Sequence, residues 1–147
     1  MSQHKAEQAI HVDIPVVLEK ANVVFNMDHL VFAGDMPVGI NYMRLLANRF
    51  TEMNTQGQIM AVFHGDAAYM TLHDVTYDTY RQVKTGNPYK NPVAELIRQG
   101  VQIEVCAVSM ENHHWFNDDL LPGVKVNSGA IGRLVQLHQQ GYVQIHP

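Results

Sequence analysis

Cysteine is almost absent from the 147-residue chain: Cys106 is the only one. One thiol closes no internal disulfide and builds no zinc site from cysteine pairs, and such sparing use suits a reducing compartment, so a cytoplasmic protein is expected. Long apolar runs are also missing. The longest are strand-sized, far short of a membrane-crossing helix, and no membrane partner is expected. Met1 to Gln8 is polar and carries no apolar stretch of the secretory kind, and a chain that opens on methionine is expected to be complete. Basic residues are few, 10 Lys and Arg against 14 Asp and Glu. They form no run that would neutralise phosphates, so nucleic acid is not an expected partner. Neither G-x-x-x-x-G-K nor G-x-G-x-x-G occurs, which removes the usual glycine-rich loops for nucleotides, and no cofactor is expected.

What remains has ordinary globular proportions, with 46% hydrophobic and 16% charged residues. A chain of this length fills one domain around one core. Residues 1–20 read as an N-terminal arm, with Ile14 to Leu18 extended at a sheet edge, and residues 21–147 as a single α/β domain. Within it, short apolar runs alternate with helical spacing. Ala21 to Asn26, Gln58 to His64, Val101 to Cys106, Val124 to Asn127 and Tyr142 to His146 read as five strands.

Between the strands, Asp35 and Pro37 signal a helix start, and Ile40, Met43, Leu46, Ala47, Phe50 and Met53 fall on one face of a helix ending near Gly57. Asn91-Pro92 opens a second helix that closes at Gly100. Ser128 caps a third, with Ile131, Leu134, Val135 and His138 on one face. The pattern predicts a three-layer α/β/α sandwich around a mainly parallel five-stranded sheet. Its strand order is not readable from the alternation.

Ligands of open α/β sheets bind outside the carboxyl ends of the strands. That rule selects Asn26 and Asp28 after the first strand, His64 and Gly65 after the second, Cys106, Ala107 and Ser109 after the third, and Asn127 and Ser128 after the fourth. Should the second and third strands be neighbours, His64 and Cys106 share one rim, and a histidine beside a cysteine favours the nucleophilic thiolate. The amides that open the following helix act in the same direction. Against this stands the tendency of a free cysteine to pack as a small hydrophobe. The nine histidines are dispersed. His113 and His114 diverge, no H-x-x-x-H pair occurs, and His11, Asp13 and His29 show no ligand spacing, so no metal is expected.

Four stretches together resemble the DsrE/DsrF-like family of sulfur-relay proteins, in its single-subunit form. They are Val62-Phe63-His64-Gly65, Asn91-Pro92, the strand from Gly100 to Cys106, and the tail from Asp119-Leu120-Leu121-Pro122-Gly123-Val124 through Gly129 and Leu134 to Gln140-Gly141-Tyr142. The resemblance runs from about Asn22 to Pro147. It implies a flavodoxin-related sandwich, assembly as a homotrimer or as two stacked trimers in a homohexamer, and sulfane sulfur carried as a persulfide on Cys106, with His64 as orienting neighbour. Sulfur donor and acceptor proteins would then be the partners. The loop from Ala107 to His114 departs from the family in lacking the Gly or Arg that many relatives place there.

Two classes of function stay open on the sequence. In one, the chain is a sulfurtransferase or sulfur carrier working through Cys106. In the other it is an oligomeric small-ligand or regulatory module in which Cys106 only packs. There the tyrosines from Tyr69 to Tyr89, with Met36, Met43, Met60, Met70 and Met110, would line a pocket or a subunit contact. A hydrolase using a Cys-His pair lacks a visible third group to orient His64.

Overall fold

The computed structural model describes residues 8–147. Five parallel strands form the sheet: β1 (Val23–Met27), β4 (Ile59–Phe63), β5 (Gln102–Cys106), β6 (Lys125–Asn127) and β7 (Val143–Ile145). A two-residue hairpin, β2 (Phe32–Ala33) with β3 (Met36–Pro37), follows β1. The helices are α1 (Val38–Met53), α2 (Asp74–Arg81), α3 (Lys90–Arg98), α4 (Ala107–His113) and α5 (Ala130–Gln139), with 3-10 turns at Gly65–Thr71 and Asn117–Asp119.

Strand order is β6-β5-β4-β1-β7. The chain steps outward from β1 through β4 and β5 to β6, then returns to lay β7 on the free side of β1. Side chains alternate across the sheet and so divide the core in two. Val23, Phe25, Met27, Ile59, Ala61, Phe63, Ile103 and Val105 meet Ile40, Met43 and Ala47 of α1, Val93 and Leu96 of α3, and Met110 of α4. Val24, Val62 and Cys106 face the other way, onto Ala130, Leu134 and Leu137 of α5. One helix covers that second face, and polar strand residues share it: Asn26 on β1, Gln102 and Glu104 on β5.

Several local expectations change. Asp35 does not cap a helix. Together with Gly34 (φ +64°) it turns the hairpin, and α1 starts after Pro37 with no side-chain cap. Asn91-Pro92 lies inside the first turn of α3, which follows Tyr89, and Asn87 supports that approach by donating to the Met70 and Leu72 carbonyls. Ser128 is exposed and Gly129 takes the cap position of α5. On α5, Leu134 points inward as expected, but its companions there are Ala130 and Leu137, while Ile131 (71% exposed) and Val135 (52%) face solvent.

Tyr69, Tyr77 and Tyr89 are buried in an aromatic cluster of the main core, which also takes in the buried Met43, Met70 and Met110, while Tyr80 stacks on Tyr69 and is 39% exposed. The arm makes no strand in residues 8–18. It joins the domain through Leu18, whose carbonyl accepts from Thr55 Oγ1 at 2.6 Å, and Lys20, bridged to Gln56, leaving Ile10, Val12, Ile14, Val16 and Val17 exposed.

Candidate functional site

β4 and β5 are neighbours, with Phe63 opposite Val105. His64 and Cys106 are the next residues on their strands, so both stand on the carboxyl rim. Cys106 is buried, at 5% exposure, and its backbone is already the cap position of α4. Its side chain makes no cap hydrogen bond to α4, although the first amides of that helix stand near it. Here burial pushes the thiol pKa up, but the Ser109 and Ala130 amides, the Ser109 hydroxyl and the Val108 amide outweigh it, and the net shift is downward. The Ala130 amide donates to Sγ at 3.3 Å. Because Ala130 opens α5, two helix starts, from opposite sides of the sheet's end, converge on one sulfur.

The His64-Gly65 segment reaches the thiol indirectly. Its turn is pinned to the end of β1 by the His64 amide on the Met27 carbonyl (3.0 Å) and the Asp66 amide on the Asp28 carbonyl (3.2 Å). Gly65 has φ +55°, and a Cβ there would stand 3.2 Å from the Asp28 carbonyl oxygen. Its amide donates to Ser109 Oγ at 3.1 Å, occupying an oxygen lone pair and leaving the hydroxyl proton free to point elsewhere. The His64 ring turns away from Cys106: Nε2 donates to Asn26 Oδ1 at 2.7 Å, and burial lowers its pKa.

Of the rim residues expected from sequence, Ser109 and Gly65 are thus joined by one hydrogen bond, His64 and Asn26 by another, and Cys106 is bonded to Ala130. Asn127 lies opposite Cys106 in the β5–β6 register and holds the start of α5, its Oδ1 accepting from the Gly129 amide at 3.1 Å. Ala107 supplies the first residue of α4, and Ser128 makes no side-chain cap. Asp28 bonds in another direction. Its Oδ1 accepts from His29 Nδ1 at 2.5 Å and from His146 Nε2 at 2.7 Å.

Two features escape sequence reasoning. Glu104, 2% exposed in mid-strand, is held by Arg133 through Nε to Oε1 (2.9 Å) and Nη2 to Oε2 (2.8 Å), with further donors from Asn127 and Gln102. Burial pushes its carboxyl pKa up, and those three donors bring the net shift below the ordinary value. The visible signal was the polar alternation of Gln102 and Glu104 in an otherwise apolar strand. Glu104 and Arg133 floor a groove of about 590 Å³ that runs past Asn127, Ser128 and Gly129, the residues leading to the thiol's amide donor. The second missed feature is His146, carried to Asp28 by the pairing of β7 with β1.

No helix among the described residues is long and apolar enough to cross a membrane. No curated protein matches the chain in sequence. Among solved structures, the protein of unknown function MTH1491 from Methanobacterium thermoautotrophicum superposes with a TM-score of 0.67 at 24% identity, over 86% of this chain and 99% of that one. The ychN protein from E. coli superposes with a TM-score of 0.55 at 17% identity, over 85% and 99% respectively. At such identities the likeness establishes the fold, a five-stranded parallel sheet flanked by helices. The model of the DsrE/DsrF-like family matches residues 30–147, spanning the rim from the hairpin to the last strand, and the chain therefore belongs to the DsrE/DsrF-like family.

Proposed function

We propose that the protein carries sulfane sulfur as a persulfide on Cys106, within a family linked in general to sulfur relay. The observation that carries this reading is a buried sulfur on the carboxyl rim, at the cap position of α4 and accepting the Ala130 amide that opens α5, with its pKa lowered despite the cost of burial. The thiolate is the attacking form, and donors that stabilise it also stabilise it as a leaving group. In the loading step the Cys106 thiolate attacks the outer sulfur of a donor persulfide. A new S–S bond forms, the donor's S–S bond breaks, and the donor departs as a thiolate. In delivery an acceptor thiolate attacks the outer sulfur, and Cys106 is the leaving thiolate. No electron is gained or lost across the pair, and no cofactor is required.

Ser109 and Gly65 are positioning residues in this scheme: Gly65 holds Ser109, and Ser109 helps keep the thiol pKa low. His64, with its proton on Nε2 and its ring on Asn26, orders the rim one strand away. Against the ligand-module reading we weigh that Tyr69, Tyr77, Tyr89, Met43, Met70 and Met110 are core. Family members often form oligomers. We extend this to a homotrimer or homohexamer here, supported by the outward apolar side of α5 and the uncovered arm, and to a cytoplasmic setting with donor and acceptor proteins as partners.

The test is intact-mass spectrometry of reduced protein after exposure to a sulfane-sulfur donor, beside Cys106→Ala. One added sulfur atom in the wild type, removed by a thiol reductant and absent from the variant, is expected. Loading that persists without Cys106, or a wild type that takes up none, overturns the assignment.

A further inference from the structure

Four neighbouring strands end on the same rim, in the order β5, β4, β1, β7. Cys106 and His64 occupy the first two ends, and Asp28, His29 and His146 cluster at the last two. Among the described residues this trio is the one group whose histidine and carboxylate atoms gather closely enough to share an ion, all within 4.8 Å of one another. We propose that Asp28, His29 and His146 bind a first-row divalent transition-metal cation such as zinc.

The geometry is convergent. His29 Nδ1 and His146 Nε2 both approach the same oxygen, Asp28 Oδ1, at 2.5 and 2.7 Å. Their rings stand at 90° with centroids 5.0 Å apart, so the two nitrogens reach a common point from perpendicular planes. A cation bonded at about 2.0–2.2 Å to nitrogen and oxygen needs its donor atoms roughly 3.3 Å apart, a small outward adjustment from the spacing seen here. Each imidazole presents its lone pair once its proton moves to the other ring nitrogen.

The backbone under these donors is fixed by the sheet. Asp28 follows Met27, which pairs with Phe63, and its carbonyl holds the Asp66 amide. His146 follows Ile145, which pairs with Phe25, and Pro147 beyond it closes over Gly39 at the start of α1. Two imidazoles and one carboxylate suit zinc, iron, cobalt or nickel, and are a poor match for magnesium or calcium, which take oxygen donors. The side chains are 32% (Asp28), 44% (His29) and 47% (His146) exposed. An ion there is reachable from solvent and keeps coordination positions open. The assignment is independent of the chemistry at Cys106.

Tag-free, chelator-treated protein titrated with zinc by calorimetry, and with cobalt by its visible absorption, tests this directly. One ion per chain is expected in the wild type and in Cys106→Ser. His29→Ala, His146→Ala and Asp28→Asn are each expected to weaken binding by at least about tenfold, as loss of a ligand outweighs loss of the groups behind it. Circular dichroism melts confirm that these surface variants fold. Absence of uptake, uptake that the histidine variants leave unchanged, or uptake lost with the thiol overturns the site.

Discussion

A buried sulfur at the start of two helices makes a statement about protons before it makes one about sulfur transfer. The folded thiol titrates below its ordinary value. Alkylation of native protein followed against pH should therefore show a lower midpoint than alkylation of the urea-unfolded chain. With one cysteine present the two curves report the same residue. For an acid depressed by folding, the linked stability grows as pH rises through the folded pKa, is complete above the unfolded thiol value of about 8.5, and is lost on the way back down. Ser109→Ala removes the hydroxyl donor. Its native midpoint should move toward that of the unfolded chain, and persulfide loading at neutral pH should slow several-fold. An unchanged midpoint would show that the hydroxyl does not reach the sulfur. Gly65→Ala places a side chain at φ +55° and 3.2 Å from a carbonyl oxygen, and should cost about 1–2 kcal/mol in urea unfolding while shifting the thiol midpoint the same way.

At the scale of elements, α5 both completes the core and neutralises a strand. Arg133→Met strips the charged partner from Glu104, a carboxylate buried on β5, and should destabilise by about 3 kcal/mol at neutral pH, the low end for a broken buried pair because Asn127 and Gln102 still donate. The sign with pH follows from the carboxyl's depressed value. In the wild type, Glu104's contribution is present above the ordinary glutamate range and lost as pH falls through the folded pKa. The variant's deficit should therefore be full at neutral pH and shrink as pH falls out of the ordinary glutamate range and through the depressed folded value, beneath which the carboxyl is protonated in both states. A deficit that does not vary with pH would assign Arg133 a packing role only.

The five strands were legible because each is an apolar run between breakers, and the Cys106 rim followed from strand direction alone. The hairpin was not, since two-residue strands carry no period, and Asp35 reads equally well as cap or turn. Nor was the inward face of α5, because Ile131 and Val135 continue its apolar stripe outward and hydrophobicity does not say which partner it meets. The Asp28–His146 contact joins positions 118 residues apart through a strand pairing that the alternation of elements leaves open.

For the whole molecule, the surface left by one chain is the argument for several. Ile131 and Val135 on α5 and Val126 and Val143 on the edge strands are all exposed, and so is the arm's alternating Ile10, Val12, Ile14 and Val16. Contiguous apolar surface rimmed by polar residues marks contact sites, and bare sheet edges invite pairing. Size-exclusion chromatography with light scattering should give three or six times the single-chain mass, and Ile131→Asp with Val135→Asp should give a smaller species that keeps its circular dichroism. A wild type that elutes with the mass of one chain removes the oligomer.

The return of β7 to the side of β1 has a consequence in time. The first strand made waits beside an open edge until the last one arrives. While the chain is still being synthesised, β4 can pair with β1, β5 can pair with β4 and α4 can form beside the thiol, but His146 has not yet been made and Asp28 has only one of its two imidazoles. Nascent protein thus holds half of its rim, and a truncated product that stops short of the final strand is blind to the ion that the finished one recognises.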